Sequence, residues 1–291
     1  MPGVNRFTLH IAGLSLDIQT EQNLVCGAAF KPFLEGEEGR THYTARFRKV
    51  EVLPELPKQV IREGNCYRIH RDEDGSYVRS FFDERVSSEP YAAAIDRDGW
   101  INVDYLDWGS VYVSEMSNSF SHLDFERILI RENRICFHAA CIRTEMGGLL
   151  FSGPSGIGKS TQAELWRRFR GARLINGDRP ILSKETDGWR AWGSPYAGSS
   201  KCYVNESCPV TAVIMLKQSP VCSLRRLSTG EAFRKVYSGV TVHSWDPYFM
   251  ERVCDLVIEI SAQIPVFEFS CTKEADAVDF LEERLQEELR L

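Results

Sequence analysis

The chain has 291 residues, 43% hydrophobic and 26% charged; this composition excludes disorder, and at roughly 150 residues per domain the length suggests two domains, or one with a large elaboration. Its 35 basic and 41 acidic residues leave a net charge of −6 and no basic run, which argues against nucleic acid as a partner. The N-terminal stretch has no apolar leader core and no segment reaches the roughly 18 apolar residues of a membrane span, so a soluble, cytoplasmic protein with no membrane partner is expected.

Residues 6–115 read as short segments of period-2 alternation separated by turn clusters. The predicted strands are Phe7–Ala12, Leu14–Gln19, Tyr43–Val50, Cys66–His70, Tyr77–Phe82, Trp100–Tyr105 and Val111–Ser114. Asp74-Gly75 and Asp98-Gly99 supply hairpin turn chemistry. Across Ser121–Asn133 the pattern changes: Leu123, Phe125, Ile128 and Ile130 fall near one face of a helix, which is the expected domain junction. A β-rich N-terminal domain (1–120) is thus expected to precede a second domain (121–291).

In the second half, strands are expected at Ile135–Arg143, Leu149–Ser152, Leu174–Ile175, Ile181–Leu182 and Arg190–Trp192. Further strands are expected at Val210–Leu216, Cys222–Leu227 and Ile264–Phe269. Val210–Leu216 is almost continuously apolar, as in a strand buried on both faces. Helices are expected at Lys159–Phe169, Thr229–Tyr237, Pro247–Ser261 and Lys273–Leu289. The fold class is therefore α/β. The nine cysteines are scattered, without a C-x-x-C pair or a zinc-finger histidine pair, and read as reduced thiols.

One segment carries explicit chemistry. Gly153, Pro154, Ser155, Gly156, Ile157, Gly158, Lys159 and Ser160 match G-x-x-x-x-G-K-[ST], followed by Thr161. The apolar run Leu149–Phe151 precedes the motif and a helical sequence follows it. In that setting successive backbone N–H groups face a polyphosphate at the positive end of a helix, as the triphosphate of ATP requires. Lys159 then reaches the β- and γ-phosphates, and the Ser160 hydroxyl is a ligand for Mg²⁺. Asp178 lies 18 residues after Ser160 at the end of a predicted strand, where a carboxylate can complete the metal site. The chain has no guanine-reading N-K-x-D, no transporter-type L-S-G-G-Q and no Arg-rich lid, which leaves a small transferase.

Phe137-His138-Ala139, the Gly153–Ser160 loop and Leu174–Arg179 together, in order and spacing, resemble the HPr kinase/phosphorylase catalytic domain. That family shares its nucleotide-binding core with phosphoenolpyruvate carboxykinase. The segments at 177–180, 193–200, 205–207 and 245–249 are similar to HPr kinase-related proteins encoded beside ribosomally made bacterial peptides. The resemblance covers roughly residues 135–290 and implies an HPr kinase-like P-loop domain using ATP and Mg²⁺. It implies catalytic His138, Lys159 and Asp178, with a serine or threonine of a peptide or small protein as acceptor and the N-terminal domain helping to recognise it.

The resemblance breaks at one place: Gly177 stands where the family carries a first aspartate. Proton removal therefore falls to Asp178, to His138, or to neither, with positioning and charge neutralisation sufficing. A kinase for an amino acid or nucleoside and a non-catalytic ATP-binding scaffold stay open as rivals, as does a homo-oligomeric assembly. Weaker candidates are the hydroxyl-rich segment 193–200, Asn205, Glu206, Arg179, Arg225 and Arg226, together with His243 and Trp245. Asp246-Pro247 reads as a helix N-cap followed by proline.

Overall fold

In a computed structural model, residues 4–36, 41–97 and 99–290 are described. The chain is mixed α/β and divides into two compact units, Met1–Phe125 and Glu126–Leu291.

The first unit holds β1 (Asn5–Ile11), β2 (Leu14–Thr20), β3 (Thr41–Lys49), β4 (Gln59–Glu63), β5 (Tyr67–Arg71), β6 (Tyr77–Phe81), β7 (Ala92–Arg97) and β8 (Trp100–Tyr105). These form an eight-stranded sheet in the order β1-β2-β3-β8-β7-β6-β5-β4. The β2–β3 and β3–β8 pairs are parallel and the others antiparallel. Alternation decides which side chains are buried: Leu9 and Ile11 on β1, Leu16 and Ile18 on β2, Ile101 and Val103 on β8.

Two strands here escaped the sequence reading. β7 begins with three alanines, which carry little strand signal, yet all three are buried. β4 is an exposed edge strand with no apolar face to announce it. The expected strand Val111–Ser114 is instead part of a 3₁₀ segment, Asp107–Val113. There Tyr91 stacks on Tyr112 and closes against Gly109, holding a coiled rather than extended backbone. Asp98, half of an expected turn, lies outside the described residues. Of the helix expected across Ser121–Asn133, only Phe125–Arg131 forms one (α2); a separate short helix, α1 (Met116–Ser121), precedes it, and Asp124, with a φ of 52°, lies between them.

The second unit continues with β9 (Arg134–Cys136), β10 (Ala139–Thr144), β11 (Gly147–Ser152), α3 (Lys159–Arg170), β12 (Arg173–Asn176), β13 (Ile181–Glu185), β14 (Gly188–Trp192), β15 (Ser207–Gln218), β16 (Ser223–Arg226), α4 (Thr229–Tyr237), α5 (Pro247–Gln263), β17 (Val266–Cys271) and α6 (Asp276–Leu289). The strand order is β12-β10-β11-β15-β14-β13-β9, with β17 also on β15 and β16 on β17. β15 is central and runs parallel to β11 and β17. Its buried Ala212–Leu216 run has cover on both faces: Ala212, Ile214 and Leu216 pack with α3 and α6, whereas Val213 and Met215 pack with α4 and α5.

The strand expected from Ile135 to Arg143 is broken into β9 and β10 at Phe137-His138. β9 pairs with β13 and β10 pairs with β11 and β12, so the chain passes between two regions of the sheet at His138. All nine cysteines are free, although the Cys141 and Cys208 sulfurs lie 3.9 Å apart. Among the described residues, no helix is long and apolar enough to cross a membrane.

Candidate active site

Three connections meet at one end of the second sheet. β11 and β12 both run antiparallel to β10, so their exits lie beside the start of β10. Gly153, Asp178 and His138 occupy those positions, and the register fixes them: Ala139 pairs with Ser152 and its N–H donates to the Asp178 carbonyl at 3.0 Å.

The loop after β11 turns through Gly153, Gly156 and Gly158, whose φ values of 141°, 77° and 117° a side chain would resist. α3 begins at Lys159, which sets the positive end of its dipole at the loop. Lys159 is buried and arches back to donate to the carbonyls of Gly153 (3.1 Å) and Pro154 (3.4 Å). Burial lowers its pKa, with Asp178 partly opposing. The exit of β15 braces the loop, since Gln218 donates to the Ile157 carbonyl at 3.2 Å.

His138 lies with Nε2 3.3 Å from Asp178 Oδ1, each side chain about one-third exposed. Its backbone is pinned on both sides: the N–H donates to Gly239 at 2.7 Å and the carbonyl accepts from Ser152 Oγ at 2.8 Å. Burial and then the Lys159 charge lower the ring's pKa, with Asp178 opposing, so the ring is neutral at pH 7. With its proton on the nitrogen facing the carboxylate, the other nitrogen carries a lone pair.

The turn bearing Asp178 is built on Asn176, a fully buried residue that the sequence reading missed. Its Oδ1 accepts from the N–H groups of Asp178 (2.9 Å) and Arg179 (2.7 Å), an Asx turn that aims both side chains. Its amide donates to Ser194, whose hydroxyl in turn donates to the Arg179 carbonyl at 2.6 Å. Thr241 was also missed; its hydroxyl accepts from Arg179 Nη1 at 2.7 Å. The Arg179 guanidinium is 3.9 Å from Asp178. Asn before Gly-Asp is a readable turn signal, but Ser194 and Thr241 come from distant segments and leave no such trace.

The Gly177 departure has a steric reason here, because a Cβ at 177 would run into Ser200 of the 193–200 segment. That segment also seats Gly198 against Asp178. Of the weaker candidates, Glu206 is engaged by Arg173 and Arg143, and Arg225 by Glu231 and Glu268. His243 stacks with Trp245 and with Phe249, while Asp246 caps α5 by accepting from Phe249 N–H at 3.2 Å.

Two cavities flank the loop. One of about 950 Å³ borders Ser160, Ala163, Leu174, Gly177, Ser200 and Cys202. The other, about 530 Å³, borders His138, Gly153, Lys217, Lys235, Gly239 and Glu268. Among the described residues no cluster of three or more His, Cys, Asp or Glu side chains could hold a metal by itself. One hydroxyl and one carboxylate fit Mg²⁺ nonetheless, because that ion is held by one or two carboxylates together with substrate phosphates and water. Ser160 and Gly177, which adjoins Asp178 in the chain, border the same cavity.

No family model and no curated protein matches the sequence. Among solved structures, the chain is similar to the Hpr(Ser) kinase/phosphatase from Coxiella burnetii, with a TM-score of 0.31 and 16% identity over 53% of this chain and 90% of that one.

Proposed function

We propose that the protein is an ATP-dependent kinase that phosphorylates a serine or threonine hydroxyl of a peptide or small protein. One observation carries this reading: the phosphate-loop lysine, Asp178 and a neutral histidine meet at one sheet end.

The loop amides and Lys159 hold the β- and γ-phosphates. His138, oriented by Asp178, takes the acceptor's proton as its oxygen forms a bond to the γ-phosphorus. The bond from that phosphorus to the β,γ-bridging oxygen breaks, and ADP departs. Arg179, held by Thr241, stands beside the carboxylate and offsets phosphate charge. Ser160 and Asp178 would hold Mg²⁺, which neutralises phosphate charge when bound. This division of labour accommodates Gly177, since the proton no longer requires a second aspartate. To the N-terminal unit we assign acceptor recognition, for which its exposed edge strand β4 offers a place for strand addition.

The test is incubation with γ-labelled ATP, Mg²⁺ and peptides encoded beside the protein, followed by mass spectrometry. Phosphoserine or phosphothreonine on a peptide is the expected product. Label confined to metabolite-sized material supports a small-molecule kinase instead, and ATP binding without any transfer supports a scaffold.

A further inference from the structure

Resting on the kinase reading, we propose that the cavity bordered by His138 admits the acceptor, and that this acceptor carries an acidic residue close to its reactive hydroxyl.

The first half of this follows from stereochemistry. In phosphoryl transfer the attacking and leaving oxygens lie roughly in line through phosphorus, so acceptor and nucleoside must approach the phosphate loop from different sides. The two cavities provide two approaches. The acceptor hydroxyl has to come within hydrogen-bond reach of the group that takes its proton, and His138 borders the smaller cavity together with Gly153 at the start of the loop. The larger cavity runs beside α3 from Ser160 to Gly171. It is left for the nucleoside.

The second half follows from charge. Lys217, just past the buried part of β15, has no ion-pair partner among the described residues. Lys235 of α4 lies 3.8 Å from Glu268, a carboxylate already shared with Arg225, also at 3.8 Å. The wall that faces the incoming hydroxyl therefore has more positive than negative charge. A volume of about 530 Å³ suits a reactive side chain with a neighbouring residue rather than a folded surface. A carboxylate on that neighbour pairs with Lys217 and Lys235, whereas a basic neighbour is repelled.

The probes are 8-azido-ATP and a position-scanned array of serine and threonine peptides, both with the full-length protein. Photolabel on segments 160–174 or 199–204 supports the assignment of cavities, and label on 215–217 or 235–239 overturns it. On the array, phosphate should accumulate on peptides with Asp or Glu beside the hydroxyl. Lys217→Glu/Lys235→Glu, with a melting curve to show that it is folded, should lower that preference by on the order of tenfold per charge and shift it toward Lys or Arg. Lys217→Gln/Lys235→Gln should abolish the preference without inverting it. Transfer with no acidic preference, or a preference the variants leave unchanged, overturns this inference alone. Photolabelling with no peptide phosphorylated overturns the kinase reading, and this one with it.

Discussion

Gly177 and Ser200 show how one side chain determines its neighbour. Because Ser200 fills the space a Cβ at 177 would need, Gly177→Asp should lower stability by about 1–3 kcal/mol through overpacking. Adding Ser200→Gly should recover part of that loss, and thermal melting of the single and double variants reads the difference. A pH dependence follows from His138. Its pKa lies below the ordinary 6.5, and in the proposed role of proton acceptor only the neutral ring acts, so kcat/KM should fall only below pH 6.5 and be flat near neutrality. His138→Gln should remove that acid limb and slow transfer by about 10²–10⁴-fold. A profile unchanged by the substitution would leave the proton to Asp178 or to neither.

Among the elements, the junction between β9 and β10 decides the geometry, and Gly239 supports it from outside. A Cβ at 239 would come within 2.7 Å of the Phe137 ring, which is fully buried and cannot yield. Gly239→Ala should therefore cost about 1–3 kcal/mol and displace the 2.7 Å bond to His138 N–H, lowering kcat along with the melting temperature. Much of this unit was legible in the sequence, because buried strands and amphipathic helices carry periodic apolar patterns. The loop was readable from its Gly-Lys-Ser spacing, and the strand–loop–helix order around Lys159 from the apolar run before it and the helical sequence after it. The break at His138 was not: Ile135–Arg143 is apolar apart from His138 and the terminal Arg143, as in one continuous strand, and only pairing with different partners, β13 against β11 and β12, splits it. Likewise Asn176 announces a turn, while its buried partner Ser194 arrives from beyond two intervening strands.

For the whole molecule, the unit Met1–Phe125 contains two histidines held neutral by burial, His70 and His122. The His122 ring is pushed from 6.5 down to about 4, mainly by burial. It touches the Tyr91 hydroxyl at 3.0 Å and the Asn118 carbonyl at 2.7 Å. The unfolded chain binds the proton more tightly, so this contribution is complete above pH 6.5 and is lost as pH falls toward 4. The shift corresponds to about 3 kcal/mol. Urea midpoints of this unit should drop between pH 7 and 5, with a shallower slope in His122→Gln. A midpoint independent of pH would contradict it. The role of this unit was the least legible part of the sequence, because alternation describes a sheet without saying what it binds. The kinase account itself is tested most directly by the single-turnover rate of γ-phosphoryl transfer from MgATP to a serine or threonine peptide, measured for the wild type and Lys159→Ala. It predicts Mg²⁺-dependent transfer by the wild type and a loss of about 10²–10³-fold or more in the variant, with the melting temperature retained. Transfer that survives in Lys159→Ala, or none from the wild type to any hydroxyl peptide, would contradict it.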